Sequence, residues 1–185
     1  MEQKKTKLPI WNAAAPAGLV LGGISSIYIF ITQGLALLTT IPAYVSLPLN
    51  FIIWLVKFIL CIYLMRYYML KFVSNHSNAT NKDTFLLGIT IAILSATLFS
   101  AVSMANVAFI SHDTMMASID AVAAMVPMDK NTTSALDMLK SNLPQYTFFS
   151  NLIYAFLYGT ILSAILSRNI PSRDPFADYK PKKEE

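Results

Sequence analysis

This chain carries few of the residues that do chemistry. Its 185 residues include one cysteine, Cys61, which excludes an intramolecular disulfide and any metal site built from cysteines. Histidine is nearly as scarce. His76 and His112 both sit in polar stretches, so neither a zinc motif such as H-E-x-x-H nor a histidine base beside a nucleophile in an apolar run can be built. Charged residues make up 13% of the chain, against roughly 25% in soluble proteins. Three of the four long apolar runs hold no Asp, Glu, Lys or Arg at depth, which argues against proton relays and carboxylate-coupled ion transport. The paired glycines Gly22 and Gly23 lie within an apolar run, without the strand that a phosphate-cradling loop needs. No catalytic residue, cofactor or metal is therefore expected, and the chain reads as a non-enzyme. The net charge of +4 comes from cations flanking the apolar runs, where they act as topology determinants; no nucleic-acid partner is expected.

What the chain has in abundance is apolar length, with 55% hydrophobic residues. The expected fold is all-α: a four-transmembrane-helix bundle with spans at about 15–38, 49–71, 85–110 and 145–167. These spans form one domain over 1–170, followed by a Pro-rich, charged and disordered cytoplasmic tail at 171–185. The first run is too long for a signal-peptide core and is expected to remain as a span. Eleven Lys and Arg flank the side that would hold both termini, against Lys130 and Lys140 on the other, so both termini are expected in the cytoplasm.

The segment 111–143 then becomes an extracytoplasmic loop. Its apolar residues recur at helical spacing but too briefly to span, which predicts amphipathic helices along the membrane surface. Asp113 and Thr132 or Thr133 are the expected caps there, with Pro127 as a stop; Asp83 or Thr84 is the expected cap of the third span. Pro42 and Pro48 mark an uncharged turn between the first two spans. Six of the nine methionines fall in or just before the third loop, where they read as adaptable packing rather than as copper ligands.

Three spans carry small residues every four positions, a spacing that lines them on one helix face and lets another backbone approach. Gly18, Gly22 and Ser26 mark the first span, Gly88, Ala92 and Ala96 the third, and Gly159 and Ser163 the fourth. The first, third and fourth spans are expected to pack closely through these residues, with the faces of the first and third matching each other. The second span is bulky throughout, and more peripheral.

That second span also holds the sharpest clue. Lys57 lies eight residues after Leu49, about 12 Å into an apolar segment and close to the midplane. No carboxylate in the chain's own spans neutralises it. Three readings follow. The ammonium snorkels or bonds polar neighbours such as Ser95, Ser103, Asn106, Asn151 and Tyr154; or it faces a cavity with Asn50, Trp54 and Cys61 and binds an anionic headgroup; or it meets an acidic residue of a partner subunit.

The GLVLGG opening at Gly18–Gly23, the NKDTFLLGI entry to the third span, the insertion before the fourth span and the SAILSRNIPSRDPF ending resemble the four-span bacterial membrane proteins catalogued as domain-of-unknown-function family 4199, typical of Bacteroidota. The resemblance implies a bacterial inner membrane and the same architecture; it implies no catalytic or binding residues. The expected function is that of an accessory subunit or scaffold in an envelope complex, with membrane lipids and another membrane protein or a second copy as partners. The alternative is a carrier or binding protein for an anionic lipid or lipid-linked sugar that works with a membrane glycosyltransferase.

Overall fold

The computed structural model describes residues 10–37, 43–76, 79–125 and 129–171. These form six helices: α1 (Ile10–Leu37), α2 (Ala43–Asn75), α3 (Asn81–Phe109), α4 (His112–Ala123), α5 (Lys130–Ser141) and α6 (Leu143–Asn169). The protein is an all-α membrane bundle, in which α1, α2, α3 and α6 are long and apolar enough to cross a bilayer. The expected stop at Pro127, the turn at Pro42 and the tail beyond 171 lie outside the described residues.

Several expected boundaries move, each for a local reason. Pro48 falls inside α2 rather than in a turn. It is the sixth helical residue, so its ring forfeits one backbone bond near the helix start without ending the helix. Helix α3 is capped by Thr80 in place of Asp83 or Thr84. The Thr80 hydroxyl accepts from the Asp83 N–H at 3.2 Å, while the Thr80 N–H donates to Asp83 Oδ2 at 3.0 Å, so Asp83 is the reciprocating third residue of a capping box. Asp129, not Thr132 or Thr133, caps α5, its carboxylate accepting from the Thr132 N–H at 2.8 Å. Those hydrogen bonds hold the fully exposed Asp129 carboxyl below its ordinary pKa. Ser111 occupies the cap position of α4, but its hydroxyl bonds Asn106 instead of capping the helix, and Asp113 sits in the first turn.

The bundle is built around α3, which packs along α1 on one face and along α6 on another. On the α1 side the fit is glycine against ridge. A Cβ at Gly18 would lie 2.6 Å from Leu94 Cβ, and one at Gly22 would lie 3.0 Å from both Leu98 Cβ and the Ser95 carbonyl. As the α1 positions rise, so do their α3 partners, and the two helices run in the same direction. On the α6 side, small meets small. A Cβ at Gly159 would lie 2.6 Å from Ala92 Cβ, and one at Gly88 would fall on Ser163 Oγ. Here the pairs run oppositely, and Ser163 donates across the interface to the Phe85 carbonyl at 2.9 Å. The stripe of Gly88, Ala92 and Ala96 thus faces α6, whereas sequence periodicity had suggested α1. Helix α3 meets the α1 glycines with the bulkier Leu94 and Leu98, since a groove on one helix needs a ridge on the other.

Helix α2 is held at one end only. Met65, Met69, Phe72 and Val73 are buried against the bundle, but no described residue before Met65 in α2 is buried. Beyond the other end of the bundle, α4 and α5 form a hairpin tied by an ion pair between Lys140 and Asp120. Its apolar groove is lined by Met115, Ile119, Val122, Leu136 and Leu139, while Val122 and Met138 also turn outward.

Candidate functional site

Because α2 joins the bundle through its last third, a wedge of space remains beside its first two-thirds. A cavity of about 200 Å³ occupies that wedge, between α2 and the α1, α3 and α6 faces. Lys57 and Cys61 line it from α2, one helical turn apart. Trp54 extends the same wall. Opposite stand Ser25 of α1, Ser95 and Phe99 of α3, and Asn151, Tyr154 and Tyr158 of α6.

The Lys57 ammonium sits 4.5 Å from the centroid of the Tyr28 ring and 5.6 Å from that of Phe99. Among the described residues it has no ion pair, and no hydrogen bond joins it to the polar groups expected to receive it. Ser95, Asn151 and Tyr154 do share its cavity; Ser103 and Asn106 lie outside the lining. Magnitudes decide what this means. A cation over an aromatic face gains about 0.5–2 kcal/mol, while a charge at mid-bilayer costs about 2.5–3.5 kcal/mol on insertion scales. The two rings offset part of the cost, and the remainder is left to snorkelling, water or an anion in the cavity.

The wall toward α6 is aromatic. Phe51, Trp54 and Phe58 stack along α2 with centroids 5.8 and 5.3 Å apart, and Phe58 reaches the Tyr158 ring at 5.8 Å. Elsewhere α2 and α6 scarcely touch.

Of the four residues expected to form a ligand face, three line the cavity: Lys57, Trp54 and Cys61. Asn50 does not. It lies one turn beyond Trp54 along α2, outside the cavity wall, where its Oδ1 is shielded from solvent and unbonded. Sequence reasoning missed Tyr28 and Phe99, the rings that hold the ammonium, because aromatic residues on apolar spans carry no signal until the register between helices is known. No group of three His, Cys, Asp or Glu that could hold a metal ion occurs among the described residues. His76 Nδ1 sits 2.9 Å from the Phe72 carbonyl at the end of α2, and His112 opens α4. Compared with protein-family models, with curated proteins and with solved structures, the chain matches none of them.

Proposed function

We propose that the protein is a non-enzymatic, multi-pass protein of a bacterial inner membrane that holds the anionic headgroup of a membrane lipid or lipid-linked sugar in the Lys57 cavity. Both termini are cytoplasmic in this reading, and the α4–α5 hairpin lies on the outer surface, as the lysine and arginine distribution and the family resemblance imply. The observation that carries the proposal is an ammonium beside a cavity, midway along an apolar helix, with two aromatic rings and, among the described residues, no carboxylate lining that cavity. About 200 Å³ is smaller than the 300–1,000 Å³ of a typical ligand pocket. It suits a phosphate-bearing headgroup, with the acyl or polyprenyl chains left in the bilayer beside the aromatic row of α2 and α6. Transfer to or from a membrane glycosyltransferase is the carrier form of this reading.

The accessory-subunit reading, first in order from sequence alone, stands second. What favours it is the exposed face of α2, whose Phe51, Val56, Ile59 and Tyr63 are each at least 57% exposed and would suit a partner helix or a second copy as well as lipid. The two readings separate on purification in mild detergent. The first predicts that wild type retains an anionic lipid, detected by native mass spectrometry, and that Lys57→Met loses it while remaining folded. A stoichiometric protein partner with no retained anionic lipid would favour the second.

A further inference from the structure

Hydroxyls on the bundle helices mostly bond back to their own backbone: Ser26, Thr32, Thr84, Thr90, Ser95 and Thr97 each donate to a carbonyl three or four residues earlier. Ser100 and Ser103 on α3 break that pattern, as do Thr160 and the cavity-lining Tyr158 on α6, whose hydroxyls are also unbonded. Ser100 is 0% exposed and Ser103 4%, yet neither Oγ has a hydrogen-bond partner. Asn106, 5% exposed, uses its Nδ2 to donate to Ser111 Oγ at 3.1 Å, and its Oδ1 is left without a donor. On α2, Asn50 Oδ1 is in the same condition.

The four groups on α2 and α3 share a place in the fold. Ser103 and Asn106 follow Phe99 by four and seven residues, which keeps them on the cavity-facing side of α3, and Ser100 lies one turn beyond the cavity-lining Ala96. Asn50 precedes Lys57 by seven residues and so shares its face of α2. Since α2 and α3 run oppositely, and Lys57 meets Phe99 at 5.6 Å, seven residues in each direction bring Asn50 and Asn106 to one level. The level is about 10 Å beyond Lys57, toward the hairpin. Ser111, bonded to Asn106, stands at the mouth of α4.

Buried polar atoms are almost always satisfied, and the two Asn Oδ1 atoms accept only, so neither can satisfy the other. Each therefore needs a donor from outside the pair. Water is the group that can donate to both amide oxygens and also exchange bonds with both serine hydroxyls. We infer that Asn50, Ser100, Ser103 and Asn106 form a hydrated seam that joins the Lys57 cavity to the aqueous phase at the hairpin end of the bundle. At the opposite end, Met65 and Met69 are at most 1% exposed and close the cavity off. Lys57 is therefore hydrated from one side of the membrane only. This holds whether or not a lipid headgroup occupies the cavity.

Cys61 is a built-in reporter, being the chain's one thiol and part of the cavity wall. The full-length protein in phosphatidylcholine nanodiscs is exposed to Ag⁺, quenched, denatured, and its remaining thiol counted with a fluorescent maleimide. Ag⁺ is small enough to follow a file of waters and does not partition into hydrocarbon. Cys61 should be blocked in wild type and in the lipid-facing control Ile93→Leu, and blocked at least tenfold more slowly in Ser103→Leu and Asn106→Leu, whose side chains plug the seam. Should the leucine variants fail to fold, Ser103→Cys and Asn106→Cys in a Cys61→Ser background should themselves be blocked, while Ile93→Cys in that background should not. An unreactive wild-type Cys61, equal rates in wild type and folded leucine variants, or thiols at 103 and 106 no more reactive than one at 93 would overturn the seam.

Discussion

Adding one methyl group at Gly88 probes the contact between α3 and α6 that positions Asn151, Tyr154 and Tyr158 at the cavity. The alanine Cβ would fall on Ser163 Oγ, 2.7 Å from Ser163 Cβ and 3.3 Å from Met65 Cε. The first of these is a backbone-near contact that cannot swing aside, so α6 must move out or Ser163 must rotate and lose its bond to the Phe85 carbonyl. Overpacking costs about 1–3 kcal/mol and the lost hydrogen bond about 0.5–1.5 kcal/mol, against about 0.8–1 kcal/mol gained because alanine is the better helix former. The net expectation for Gly88→Ala is a loss of roughly 0.5–3.5 kcal/mol. Gly23→Ala supplies the opposite case within the same protein, since a Cβ there meets nothing within 4 Å. It should be neutral or should stabilise by up to about 1 kcal/mol. Reversible unfolding in mixed micelles at increasing mole fraction of dodecyl sulfate, followed by circular dichroism, measures both. Equal stability of the two variants would refute the close approach of α3 and α6 at Gly88.

Thr80→Ala removes the hydroxyl half of the capping box and should cost about 1 kcal/mol in the same titration, whereas Asn81→Ala beside it should change little. The Asp129 cap makes α5 pH-sensitive. Its carboxyl has a lowered pKa in the folded state, so its stabilisation is complete above the ordinary carboxylate range and is lost as pH falls through the lowered value. Protection of the amides of Thr132 and Thr133, taken relative to the intrinsic exchange rate at each pH, should fall over that acid window in wild type but not in Asp129→Asn; identical protection profiles would contradict the cap. For topology, Ser134→Cys in a Cys61→Ser background should react with an impermeant maleimide in intact spheroplasts, and Lys82→Cys only after lysis. The reverse pattern would invert the bundle in the membrane.

The four spans were legible because apolar length alone specifies them, and composition needs no neighbour to be read. Caps were not. Asp83 stands nearer the apolar run than Thr80, and only the reciprocal bonds between them reveal that the helix begins earlier. The small-residue stripes were legible as faces, but periodicity says where a face points on its own helix and nothing about which helix meets it. Hence Gly88 and Ala92 found α6, and the α1 glycines found the leucine ridge of α3. Lys57 stood out as a charge among apolar residues. The cavity beside it did not, because it arises from α2 being anchored through Met65, Met69 and Phe72 at one end, and that asymmetry involves residues as apolar as those left exposed. Asn50 shares the Lys57 face of α2 by its spacing but lies one turn beyond Trp54, the α2 residue at that end of the cavity lining, a limit that depends on neighbouring helices and not on the α2 sequence.

The central claim is that the Lys57 ammonium draws an anionic lipid headgroup to the α2–α6 side of the bundle, and Trp54, on the cavity wall, reports it. In a Trp11→Phe background Trp54 is the sole tryptophan, and its fluorescence can be followed in phosphatidylcholine nanodiscs containing a few mole per cent of brominated phosphatidylglycerol or brominated phosphatidylcholine. Binding at Lys57 predicts quenching by the brominated phosphatidylglycerol several-fold above that by the zwitterionic lipid at equal mole fraction. Lys57→Met should abolish that preference, and Lys57→Arg should retain part of it, because charge persists while the planar guanidinium replaces a compact ammonium. Equal quenching by the two lipids in wild type, or a preference that survives in folded Lys57→Met, would contradict the account.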